Sequence, residues 1–289
     1  MKILNDIYQI DAFTNKPFNG NSAVVILSDK LSSENMQQIA KEMNRSETAF
    51  ISSSDKADFK LKWFTPTIEV ELCGHATIAS LHYLAEREII GRYSNVSFET
   101  LSGILECRVD EGDYYMKLPV PEFKEFESEK NGIIDVLGIK LNELDNSYPL
   151  MLQNNGNLFI YIKSLDVIKN LKPNFKELVK LSKEKGEFTE VTVYSTETIE
   201  IENDAHLRFF APYYGIDEDP VTGSANGPLL LVLLKLGLIE SNTENNIFTF
   251  EQGDFLGREG RVNVKYSTEN NELIIAGNAV TILKGELYY

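Results

Sequence analysis

ELCGHATIASLHYL at residues 71–84 and DPVTGSANGPLLLVLLKL at residues 219–236 decide the fold, because they read as two versions of one device. In each, a polar loop stops at a corner of glycine, a polar residue and alanine, and an apolar run with the length of a buried helix begins. The corners are Gly74-His75-Ala76 and Gly223-Ser224-Ala225. Glycine at such a corner lets a ligand approach the backbone, and the first N–H groups of a helix have no partner within it.

Outward from these corners the likeness continues. KLKWFTP at 60–66 and AHLRFFAP at 205–212 both alternate, then give two aromatics, a small residue and a proline. Further upstream, SAVVIL, a helix over SSENMQQIAKEM with Ser33 as its cap, and ETAFI match NLFIYI, a helix over PNFKELVKLSKEKG ending at Gly186, and EVTVYS. Downstream, SFET at Glu99 answers FTFEQ at Glu251. Five matched features in one order predict two similar halves, 1–125 and 146–289. The join lies at about 121–146, with terminal strands able to cross over. Strand hairpins with one long buried helix per half argue for an α+β fold rather than a doubly wound parallel sheet. A G-x-G-x-x-G turn and a P-loop lysine are both missing, which removes the main support for nucleotide-binding folds.

Composition narrows the function. The chain has 289 residues, 43% of them hydrophobic, and a formal charge of −16. An acidic surface repels phosphate backbones, so nucleic acid is not an expected partner. No apolar run approaches the roughly 18 residues of a membrane span, and no basic-then-apolar leader opens the chain. Two cysteines make no disulfide framework, and the reducing cytoplasm is the expected setting. No four-ligand zinc spacing occurs, so a bound metal is not expected.

Four residues on the motifs have acid-base or hydrogen-bonding chemistry. Glu47, before an apolar strand, is expected to be partly desolvated with a raised pKa that suits it to carry a proton. His75 can partner it, Asp219 can orient the pair, and Ser224 can donate a hydrogen bond. Each has a plainer reading on its own: a surface glutamate, a capping histidine, a turn aspartate before proline. Cys73 at a helix start is expected to have a lowered pKa. The second corner holds no cysteine, which excludes a two-thiol racemase mechanism. His82 reads as a satisfied core histidine, and Cys107 as buried and inert.

Asp11-Ala12-Phe13-Thr14, Asn19-Gly20-Asn21, Ser46-Glu47-Thr48, Cys73-Gly74-His75-Ala76-Thr77 and Asp219-Pro220-Val221-Thr222-Gly223-Ser224-Ala225 together resemble the phenazine-biosynthesis PhzF-like family. The resemblance covers essentially the whole chain. It implies the diaminopimelate epimerase fold, two pseudo-symmetric α+β halves, each a curved mixed sheet wrapped around a central helix, with the active site between them. It further implies a homodimeric isomerase that uses no cofactor. The family's best-understood member isomerises trans-2,3-dihydro-3-hydroxyanthranilate. By that likeness Glu47 carries the proton, with His75, Asp219 and Ser224 around a small carboxylate-bearing substrate. Amides of Gly74, His75, Gly223 and Ser224 hold its carboxylate, and Asn21 and Cys73 join the substrate-binding set. One departure is Asn226-Gly227-Pro228, where proline either delays the second helix to Gly227 or distorts its first turn. An amino-acid racemase or epimerase, and a non-catalytic binding protein on the same scaffold, are the rival readings.

Overall fold

The structure is a computed structural model that describes residues 2–128, 130–240 and 247–289. The chain is α+β and divides into two compact units, Met1–Leu118 with Ile274–Tyr289, and Pro119–Leu273.

The first unit runs β1 (Ile3–Ala12), β2 (Asn21–Leu27), α1 (Ser33–Met43), β3 (Glu47–Ser52), β4 (Phe59–Phe64), β5 (Glu69–Val70), α2 (Gly74–Glu86), β6 (Tyr93–Thr100), β7 (Gly103–Asp110) and β8 (Asp113–Leu118). The second runs β9 (Phe123–Phe126), α3 (Lys130–Leu137), β10 (Leu150–Gln153), β11 (Asn157–Tyr161), α4 (Leu165–Asn170), α5 (Phe175–Lys185), β12 (Glu190–Ser195), β13 (Ala205–Ala211), β14 (Ile216–Asp219), α6 (Gly223–Lys235), β15 (Phe248–Gln252) and β16 (Gly260–Ser267). β17 (Glu272–Gly277) spans the join, and β18 (Ala279–Tyr288) returns to the first unit and pairs antiparallel with β1.

Both units use one strand plan. β2 lies parallel to β3, β3 antiparallel to β4, and β4 parallel to β6. β11 lies parallel to β12, β12 antiparallel to β13, and β13 parallel to β15. Even single registers repeat: Lys60 faces Glu99, and His206 faces Glu251. Glu251 is fully buried and accepts from the Ile199 and Glu200 amides, from Asn203 and from His206 Nδ1, tying the 199–203 loop to β15.

A two-sided sheet needs apolar cover on both faces. On one face of the first unit, α1 buries Met36, Ile39 and Ala40 against Val24, Ile26, Phe50 and Phe64. Its cap is Ser32, whose Oγ accepts from the Asn35 amide, one residue before the expected Ser33. α2 packs against β1, β2, β3, β8 and β18, and every residue from Gly74 to Leu81 is buried. Such all-round burial explains its apolar composition. In the second unit α3, α4 and α5 share a core with β11, β12 and β13, and α6 packs against β11 and β16. α5 ends at Gly186 in the left-handed region, as its sequence predicts.

Two expectations need correction. The stretch 121–146 is no bare linker: it carries β9, which pairs with β10, and α3, whose Ile133, Ile134 and Leu137 enter the core. Four apolar positions crowded into the last five residues of an eight-residue helix are too short a pattern to show a period. Pro228 does not delay the second helix, because α6 begins at Gly223 and contains it. At that depth proline removes only the bond its N–H would make to the Ser224 carbonyl, and the first turn closes through Ala225 and Asn226 amides to the Thr222 carbonyl. Among the described residues no helix is long and apolar enough to cross a membrane.

Leu81 is fully buried on α2, so Leu81→Ala should lower the unfolding free energy by about 2–5 kcal/mol in urea denaturation. An unchanged midpoint would show that α2 is not central to the first unit.

Candidate active site

Local geometry gathers four of the expected residues in the first unit. The Asp11 carboxylate, fully buried, accepts from the Phe18 amide and fixes the loop that leads into β2. Gly20 closes that loop at φ +58°, where a Cβ would meet the Ala12 carbonyl oxygen at 2.1 Å, so only glycine fits. The next residue, Asn21, opens β2 and approaches His75 Nδ1 at 3.2 Å. Glu47 opens β3 beside Ala23 of β2, and its Oε2 lies 3.2 Å from His75 Nε2. Ser46 Oγ also lies 3.2 Å from Nε2, and Cys73 Sγ lies 3.5 Å from Nδ1.

The imidazole contacts fix its chemistry. With Asn21 Nδ2 donating to Nδ1, the ring is neutral and its Nε2–H faces Glu47; with the Asn21 amide turned over, Oδ1 accepts from a cationic ring. Asn21 therefore serves either protonation state. The Nε2–H does not lie along the line to Oε2, so the contact is an ion pair rather than a linear hydrogen bond.

Electrostatics decide which state prevails. Burial alone would raise the Glu47 pKa, but the His75 ring, with hydrogen bonds from Ser46 and Cys73, outweighs it and holds the carboxyl below its ordinary 4.5. This reverses the expected rise, which counted desolvation without the cation beside it. Burial alone would lower His75, yet its neighbours hold it well above 6.5. Burial, then the Glu47 charge, pushes the Cys73 thiol up to about 11, so it is protonated at neutral pH. This reverses the lowered value expected at a helix start, because burial and then a full carboxylate charge outweigh a partial helix charge. Cys73 first and Glu47 after it raise His75; with the thiol neutral, Cys73 remains a hydrogen-bond partner and Glu47 supplies the charge beside the ring.

The helix starts differ by position. α1 and α5 are capped by Ser32 and Asn174 side chains, whereas α2 and α6 start at Cys73 and Thr222 with no side-chain cap. Their first amides are left for a ligand with negative charge. Below each corner the next turn is braced alike: Thr77 Oγ1 donates to the Cys73 carbonyl at 2.6 Å, and Asn226 Nδ2 to the Thr222 carbonyl at 2.9 Å.

The second unit gathers the remaining residues. Asp219 ends β14, four residues before Gly223, and its Oδ2 accepts from Thr222 Oγ1 at 2.5 Å. Gln252 of β15 donates to the Asp219 carbonyl and accepts from the Thr222 amide. Ser224 is half-buried on the first turn of α6. Thr222, Asn226 and Gln252 escaped the sequence reading; the signal for the first two was their position one residue before and three after the corner glycine.

Glu47, Cys73 and His75 each offer a donor atom, all within 4.8 Å of one another, a spacing that can hold a divalent ion. Such binding would first have to strip protons from Cys73 and His75. His82, expected in the core, is half-buried at its edge and satisfied by Tyr114 and Thr281 at 3.0 Å each, and Cys107 is buried.

Comparison with known proteins gives one pattern. The sequence profile of the family described as phenazine biosynthesis-like protein, PhzC-PhzF, matches residues 10–285. An uncharacterized isomerase of Clostridium acetobutylicum is 40% identical, with 98% of this chain and 97% of that protein aligned. The crystal structure of a Bacillus anthracis phenazine biosynthesis protein of the PhzF family superposes with TM-score 0.89 at 32% identity, covering 100% of both chains. A Pseudomonas aeruginosa protein described as a predicted epimerase superposes with TM-score 0.82 at 21% identity over 99% of each, which shows a shared fold.

The Glu47–His75 pair stabilises the fold from about pH 4.5, where an unfolded glutamate ionises, up to the elevated folded value of His75. Nitrogen NMR should find His75 still protonated above pH 6.5 in the wild-type protein. In Glu47→Gln the carboxylate charge beside the ring is lost, and the titration should move to lower pH. A titration unmoved by that substitution would refute the pair.

Proposed function

The chain belongs to the PhzC-PhzF family of phenazine biosynthesis-like proteins and is an isomerase of that family, and we propose that it shifts a proton within a small carboxylate-bearing molecule, with Glu47 as the base and no cofactor. The observation that carries this reading is a nearly buried carboxylate, 9% exposed, kept ionised beside an uncapped helix start.

The substrate carboxylate binds the free first-turn amides of α2 at Gly74 and His75. Its negative charge then adds to the site and raises the proton affinity of Glu47 at the moment the base is needed. Glu47 takes a proton from a carbon made acidic by conjugation and returns it to another carbon of the same molecule. His75 stabilises the Glu47 carboxylate before the proton is taken and again once it has been returned, with Asn21 and Ser46 holding the ring. General acid-base help of this kind contributes roughly 10²–10⁴-fold. Asp219 and Ser224, beside the matching uncapped start of α6, are assigned to the same reaction. Cys73, protonated at neutral pH, packs and donates and is not the base.

The test is a metabolite mixture incubated with the protein in D₂O and read by mass. One compound should gain deuterium with wild-type protein and not with Glu47→Gln, while Cys73→Ala retains most of the exchange. Normal exchange in Glu47→Gln would end the assignment of the base. Abolished exchange in Cys73→Ala with a folded protein would favour a thiol-dependent racemase.

A further inference from the structure

The repeated strand plan gives Glu47 a counterpart. In the first unit Ala23 faces Glu47 across a parallel pair, and Thr48 faces Phe64 across an antiparallel one. In the second, Asn157 faces Glu190 across a parallel pair, and Val191 faces Phe210 across an antiparallel one. Phe64 and Phe210 each stand two residues before a proline, Pro66 and Pro212. Trp63 faces Val70 and Phe209 faces Asp219, and those partners each stand four residues before the corner glycine. Every register places Glu190 at the position of Glu47, the first residue of its strand.

The side chain faces the same way. Alternate residues of a strand share a face, and residues opposite in antiparallel strands point to the same side. Glu47 thus points away from the Phe50 and Phe64 core under α1, and Glu190 away from the Val191, Val193 and Phe210 core under α3, α4 and α5. On the face of Glu190 lie Thr192, Phe209 and Asp219. Thr192 Oγ1 donates to Asn157 Oδ1 at 3.0 Å, which places Asn157 on that face too. Asn157 is 1% exposed, and its Nδ2 has no hydrogen-bond partner, leaving a buried donor beside Glu190.

We propose that Glu190 and Asp219 form a carboxyl pair that holds one proton, with Glu190 as a positioning residue for the acid-base chemistry of the second unit. This rests on the reading of the chain as a proton-shifting isomerase. The division of roles mirrors the first unit with different chemistry: there an imidazole keeps a carboxylate ionised, here a protonated carboxyl leaves its neighbour ionised. A carboxylate on the same face disfavours ionisation of its neighbour, so the two together retain a proton. Burial, then the Asp219 charge, raises Glu190 to about 7. The groups set against it are Asn157 from β11, Phe209 from β13, Asp219 from β14 and, through Thr189, the Tyr214 hydroxyl. Arg208 and Glu218 bond each other, with Arg208 opposite Val193 on the other face. α6 carries no charged side chain before Lys235. Among these described groups Asp219 is the one acid facing Glu190.

Carboxyl titration of the full-length protein, without ligand, by infrared difference spectroscopy tests the pair. Wild-type protein should show one carboxyl titrating near pH 7; it should vanish in Glu190→Gln, persist in Glu47→Gln, and shift down in Asp219→Asn. Persistence in Glu190→Gln, or no shift in Asp219→Asn, overturns the pair. This readout needs no substrate, so it stands or falls separately from proton exchange at Glu47. With the compound found by deuterium uptake, wild-type exchange should fall above about pH 7 and Glu190→Gln should lose that fall. An unchanged profile would leave Glu190 no part in the reaction and overturn its role.

Discussion

A helix start with no side-chain cap, at the buried end of α2, is the constraint on which the first unit depends. Free amides there carry partial positive charge in surroundings that water reaches poorly, so something negative is needed close by. Gly74 keeps the approach open, and the ends of β2 and β3 deliver Asn21 and Glu47 to the same corner. The strand plan exists to bring these ends to the helix start, and the outer helix α1 covers the opposite face.

Within that frame the Glu47–His75 pair settles the protonation of everything it touches. Removing one charged partner from a buried pair leaves the other uncompensated. A neutral thiol, a reversible amide and a serine hydroxyl surround the pair, each able to accommodate either state of the ring. The protein thereby keeps a carboxylate ionised with little exposure to water.

Much of this was legible in the sequence. The paired corners, the matched FTP and FAP turns and the Glu99–Glu251 echo came through because they repeat in order over both halves. α3 was hidden, because four apolar residues crowded onto one short helix make no period, and Pro228 misled because the cost of proline falls on one bond. The proton affinities of Glu47 and Cys73 ran opposite to expectation. A motif shows which residues are neighbours in sequence; which charge dominates at 3 Å depends on residues 28 apart in the chain, as Glu47 and His75 are. Glu190 was present in the repeat all along, opening EVTVYS as Glu47 opens ETAFI.

The account turns on Glu47 being a carboxylate in the resting protein, and its own carboxyl-carbon titration by NMR measures that most directly. Ionisation should be complete at neutral pH, with a midpoint below the ordinary 4.5. A Glu47 that is protonated at neutral pH would contradict it, because burial would then have won over the imidazole.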